Sequence, residues 1–163
     1  MRYDVRRRPP FDVQAATDDW TLFEIERTGG SGRRPCSGAY LADTPPAGAH
    51  AREVLLVFAE LRKLLAAGVP PDRTRGNPDV QPWAGKCSGA HQKTTFYVLK
   101  AKPGGWRLYF HVRSATHRQL EFLLAVHKKQ DRRDPADFEQ CCRLLAARER
   151  GDYVPVPLEL PPG

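Results

Sequence analysis

The chain of 163 residues contains no apolar run long enough to span a bilayer, which takes about 20 residues. Its start, MRYDVRRRPP, is basic and lacks the apolar stretch of a secretory signal, so the expected compartment is the cytoplasm. Cysteine is scarce, with 4 residues and no C-x-x-C pair. Cys141 and Cys142 are adjacent on an expected helix, project about 100° apart and do not easily bridge each other. Cys87 and His91 have the spacing of half a zinc site, but no second half follows. Four free structural thiols, no metal and no cofactor are therefore expected. No internal repeat is visible, so the chain does not read as a solenoid or a propeller.

What is present is ordinary globular material, 40% apolar and 28% charged, enough for one compact domain with a core. The 15 prolines and 13 glycines cluster outside the patterned segments. Net charge is +7, and its placement is uneven. Residues 86–150 hold 14 Lys/Arg against 6 Asp/Glu, a net of +8, and the remainder nets −1. A localised basic surface attracts polyanions, nucleic acid first; its plainer meaning is a solvated basic face.

Hydrophobic spacing divides the chain. Residues 1–18 read as an N-terminal arm, 19–151 as a single domain and 152–163 as a proline-rich tail. A first strand fits residues 19–27, and residues 28–48 carry the turn formers of a long loop. Val54, Val57, Phe58, Leu61, Leu64 and Leu65 form one helical stripe within residues 49–67, closed by Gly68 and Pro70. After a loop over 69–93, strands at 94–100, 106–113 and 119–127 follow closely enough for an antiparallel meander. In the last of these, Leu120, Phe122, Leu124 and Val126 share one face, with Gln119, Glu121 and His127 on the other. Asp134-Pro135 is a helix start and Gly151 a stop. The expected fold is α+β, a small antiparallel or mixed sheet with the helices packed on one face.

The 106–113 strand is the most informative piece. Trp106, Leu108, Phe110 and Val112 alternate with Arg107, Tyr109, His111 and Arg113, so one face is apolar and the other cationic. With helices on the apolar face, the second face is expected to meet solvent or substrate. Two guanidinium groups, a phenol and an imidazole there suit holding a phosphate and moving a proton.

Around this strand, PWAGKCSG at 82–89, TTFYVLKA at 94–101, WRLYFHV at 106–112 and FLLAVHKKQDRRDPADFEQC at 122–141 follow one another in an order that resembles the RelE/ParE toxin superfamily, in its HigB branch. The resemblance covers roughly residues 80–150. Such proteins usually place two helices in a hairpin in their first half, of which only one is clear here. Val98-Leu99-Lys100 also replaces the arginine-bearing triplet common at the second strand.

The resemblance implies an endoribonuclease that cuts messenger RNA on the ribosome without a metal, restrained by a small antitoxin protein. Its chemistry is attack of a 2′-hydroxyl on the adjacent phosphorus, which needs a base, a cation for the phosphorane and an acid. Arg107 matches the family's strand arginine and can fork onto two phosphate oxygens. His111 is the expected base or acid, since an imidazole titrates near pH 6.5. Lys100 and Tyr109 complete the expected catalytic set. Lys102, Arg113, His127, Lys128, Lys129 and Arg132 are the expected RNA-binding residues, where lysine pairs grip phosphate backbone. Two other readings compete. One is a gyrase-binding toxin of the same fold, which would not need an arginine–histidine face. The other is a non-catalytic nucleic-acid-binding or phage-derived accessory protein.

Overall fold

A computed structural model describes residues 20–42, 47–66, 80–83, 87, 96–101, 105–114, 117–127 and 135–161. The elements run β1 (Thr21–Arg27), α1 (Ser37–Ala42), α2 (Ala47–Ala66), β2 (Val80–Trp83), β3 (Phe96–Ala101), β4 (Trp106–Ser114), β5 (Gln119–His127), α3 (Pro135–Glu149) and β6 (Tyr153–Pro157). The class is α+β, built on one mixed sheet. Strand order among the described residues is β2-β3-β4-β5-β1-β6, with β1 parallel to β5 and the other pairs antiparallel. The three-strand meander lies where hydrophobic alternation places it.

Three elements lie in stretches that read as loop or tail. α1 falls inside the glycine-rich segment and β2 inside the second loop. β6 lies in the proline-rich tail, where Leu158 and Leu160 beyond it enter the core. The N-terminal arm lies outside the described residues.

Helices cover both sheet faces, which corrects the one-face arrangement. Leu22, Leu99, Trp106, Leu108, Phe110, Leu120 and Phe122 pack under α2 and α1, against Val54, Phe58, Leu61 and Tyr40. On the other face Ile25, Phe96, Val98, Tyr109 and Leu123 meet Phe138, Cys141, Leu144 and Leu145 of α3. The physical reason is that the apolar stripe of α3 needs burial and the first face is already taken. Phe96, Val98 and Ile25 make the second face apolar enough to receive it.

A bulge alters the face pattern of β5. Tyr109 pairs with Leu124 and Phe110 with Phe122, so Leu123 is an extra residue. Beyond it, Leu124 and Val126 turn to the α3 face and Ala125 to the α2 face. The single face expected for Leu120, Phe122, Leu124 and Val126 is thus split. His127 moves with them, its ring edge-on to Trp106 at 5.3 Å.

β6 closes one edge of the sheet. Leu158 donates its N–H to Leu22 O at 3.1 Å and Thr28 donates to Asp152 O at 2.9 Å. Antiparallel alternation then turns the backbone nitrogens of residues 155 and 157 outward. Both are prolines with no N–H to offer, a known way of blunting an edge against further pairing. Restoring two outward donors with Pro155→Val and Pro157→Val is expected to cause concentration-dependent self-association with little change in melting temperature. Light scattering that stays monomeric at high concentration would contradict this.

The C-terminal segment is tied down by a buried carboxylate. Glu24 accepts from the backbone N–H of Ser37 at 3.0 Å and of Glu159 at 2.9 Å, so it joins β1, the start of α1 and the tail. Arg34 bridges Glu26 at 2.8 Å and Glu159 at 3.0 Å, and Tyr40 donates its hydroxyl to Glu159 O. Burial outweighs these partners and raises the Glu24 carboxyl above its ordinary pKa.

Candidate functional site

β4 presents Arg107, Tyr109, His111 and Arg113 toward the α3 side, as alternation requires, but α3 lies over much of that face. Arg107 is only 5% exposed, and its guanidinium donates to Trp106 O at 3.2 Å. Tyr109 is buried, and its hydroxyl donates to Asp137 Oδ2 at 2.8 Å in the first turn of α3. Burial, with Asp137 beside it, pushes the phenol well above its ordinary pKa. The expectation that these two residues face solvent is corrected. The Tyr109 phenol serves to seat α3 on the sheet.

The accessible chemistry lies at the other end of the strand. His111 pairs with Glu121 across the β4–β5 ladder, and directly paired residues share a face. His111 Nε2 lies 3.0 Å from Glu121 Oε1. Arg148, in the last turn of α3, donates Nε to Glu121 Oε2 at 3.0 Å. Arg113 Nε is 3.9 Å from the same oxygen. The carboxylate is fully buried, whereas the His111, Arg148 and Arg113 side chains are 12%, 17% and 34% exposed. One negative charge thus holds two permanent positive charges and an imidazole at the surface. Burial alone would raise the Glu121 carboxyl. The hydrogen bond and charge of His111, then those of Arg148, overrule it and hold the pKa below the ordinary range.

Both arginines meet Glu121 through Nε, the edge of the guanidinium. The end-on pair of terminal N–H groups lies on a different edge of the guanidinium and is suited to donate to another anion in a fork. In its neutral form an imidazole with Nε2–H on Glu121 keeps its other ring nitrogen as an acceptor, the state a general base requires.

The remaining expected residues scatter. Lys100 is half-buried on β3, in register with Arg107. Four residues of strand separate Arg107 from His111, about 13 Å, so the two do not share one phosphate. His127 lies on the opposite sheet face from His111, because of the bulge. Lys102, Lys128, Lys129, Arg132 and His91 lie outside the described residues.

Sequence reasoning missed Glu121 and Arg148 as site residues, and Asp137 as the partner of Tyr109. Glu121 was legible as a polar residue on its strand face. Its partner across the ladder was not, since register is a tertiary property. Arg148 gave no signal beyond a basic residue at a helix end, where it suits the helix dipole.

The expectation of four free thiols is also corrected. Cys87, between β2 and β3 in sequence, forms a disulfide with Cys142 of α3, and Cys36 and Cys141 are free and buried. Neighbours on one helix turn point apart, so Cys142 is free to reach a different element while Cys141 enters the core. Among the described residues no group of three or more metal-ligating side chains comes together, and no helix is long and apolar enough to cross a membrane. No protein-family model matches the chain, and no curated protein matches it significantly.

Proposed function

We propose that this protein is a toxin-type endoribonuclease that cleaves messenger RNA by metal-independent attack of the 2′-hydroxyl, with its site at His111, Glu121, Arg113 and Arg148. One observation carries the reading: an imidazole 3.0 Å from a buried carboxylate that two guanidinium groups also approach through Nε. His111 takes the 2′-hydroxyl proton on the ring nitrogen not bonded to Glu121. The 2′-oxygen bonds to phosphorus, and the arginines hold the phosphorane charge. The bond to the 5′-oxygen breaks, and that oxygen takes the proton back from the imidazolium. The products are a 2′,3′-cyclic phosphate and a 5′-hydroxyl.

The consecutive helices α1 and α2 between β1 and the meander support the RelE-like comparison, which implies two helices there. In this reading the phosphate-holding role passes from Arg107 to Arg113 and Arg148. The ribosome as the place of cleavage, a small antitoxin as the restraining partner and a cytoplasmic location belong to the same proposal. A second reading, a non-catalytic nucleic-acid-binding protein, draws on the burial of Arg107 and Tyr109.

Induced expression in bacteria of the wild type beside His111→Ala, with primer extension on a reporter messenger, tests the proposal. Growth arrest with discrete cuts is expected, the cuts falling on the order of 100-fold or more in the variant. Cuts that persist in folded His111→Ala would sink the assignment. Arrest without cuts favours a gyrase-type target, and no arrest from folded protein favours the binding reading.

A further inference from the structure

We infer that Phe23 and Arg113 form a stacking platform for one unpaired base of a single-stranded RNA, next to the His111–Glu121 pair. This inference rests on the ribonuclease reading and names how that site takes its substrate. Phe23 on β1 pairs in parallel register with Glu121 on β5, which in turn pairs with His111 on β4. An aromatic ring, a carboxylate and an imidazole therefore stand in one row across three neighbouring strands on one sheet face. Two inter-strand spacings separate Phe23 from His111, about 10 Å, within the reach of one nucleotide and its adjoining phosphate.

The ring is not used by the core. Phe23 is only partly buried and belongs to neither apolar cluster, although its strand neighbours Leu22 and Ile25 are completely covered. The Arg113 guanidinium lies over it, 5.5 Å from the ring centroid, and holds ring and cation as a unit. Bases splayed from a single strand stack on aromatic rings and on guanidinium planes, and every base offers a π face. A duplex keeps its bases stacked on each other, so the platform selects single strands. Arg113 then has two jobs: one plane for the base, and nitrogens for the phosphate beside His111.

The test separates binding from cleavage. A short single-stranded oligonucleotide with 2′-O-methyl sugars has no 2′-hydroxyl to attack, and one 2-aminopurine in it reports stacking by fluorescence quenching. Wild type is expected to bind and quench it. Phe23→Leu, which keeps apolar volume without a ring, is expected to bind roughly ten-fold more weakly and to lose the quenching. Phe23→Tyr is expected to restore both, which a merely structural role would not require. If Phe23→Leu binds and quenches like wild type, the platform is wrong and the ribonuclease reading is untouched. Quenching by wild type together with failure to cut the 2′-hydroxyl form of the same strand keeps the platform and removes the nuclease. Absence of any binding by folded wild type overturns both.

Discussion

Opening the Cys87–Cys142 disulfide is expected to lower the unfolding free energy by about 2–5 kcal/mol. The bridge joins residues 55 apart in sequence and encloses β3, β4 and β5, so it constrains a large part of the unfolded chain. Chain entropy for a loop of that size gives about 4 kcal/mol, before any strain in the folded state. The loss concentrates in α3, which the bridge grips at mid-helix. What then holds the helix is the Tyr109–Asp137 hydrogen bond near its start, the Arg148–Glu121 pair at its end, and Phe138, Cys141, Leu144 and Leu145 between. Denaturant midpoints of wild type with and without a dithiol reductant, beside Cys87→Ser/Cys142→Ser, measure the effect. The reduced wild type and the oxidised double variant are expected to coincide. An unchanged midpoint on reduction would show that the two sulfurs are not linked in solution. Disulfides persist mainly in oxidising environments.

Glu121→Ala is expected to cost about 3 kcal/mol at neutral pH, far more than removing either partly exposed arginine partner. The variant leaves Arg148, Arg113 and His111 crowded together with no counter-charge on a partly covered surface. Solvent screening at Arg113 keeps the figure toward the lower end of the range for a broken buried pair. Glu121→Gln keeps the shape and one acceptor but not the charge, and is expected to fall between. The same carboxylate sets an acid limit. Its folded pKa lies below the unfolded one, so its contribution is complete above the ordinary glutamate value of about 4.3 and is lost as pH falls through the lower, folded value. Glu24 works with opposite sign. Burial raises its pKa, so its charged form costs stability, and protonation relieves that cost as pH drops toward about 4.3. Acidification from neutrality is thus expected to stabilise slightly before it destabilises, and Glu121→Ala is expected to lack the second phase. Thermal melts between pH 7 and 3 distinguish the two. Wild type and variant profiles that run parallel throughout would show that Glu121 does not set the acid limit.

The parts of this fold that were legible in the sequence are those written in local spacing. Strand alternation marked β4 from Trp106 and β5 from Gln119 to His127, and a helical stripe marked α2. Asp134-Pro135 and Gly151 bracketed α3, whose end is sealed by Gly151 at φ 88° and by the Asp152 N–H on Ala147 O. Short elements escaped. α1 has 6 residues in a glycine-rich setting, and β2 and β6 contain prolines, so neither periodicity nor propensity announces them. The site was half legible. His111 and Arg113 were found because they share a strand face with Arg107 and Tyr109, while the same logic placed all four in the open.

Sequence alone thus determined which side chains stand together on their own strand or helix, because the periods of two and 3.6 residues are properties of the local backbone. Tertiary structure decided the rest. Packing α3 on the second face buried Tyr109 and brought Arg148 to Glu121. Strand register put Phe23, Glu121 and His111 in one row, and one extra residue in β5 turned His127 away from it. No local spacing encodes those outcomes, since cover and register follow from which apolar surfaces find each other across the sheet.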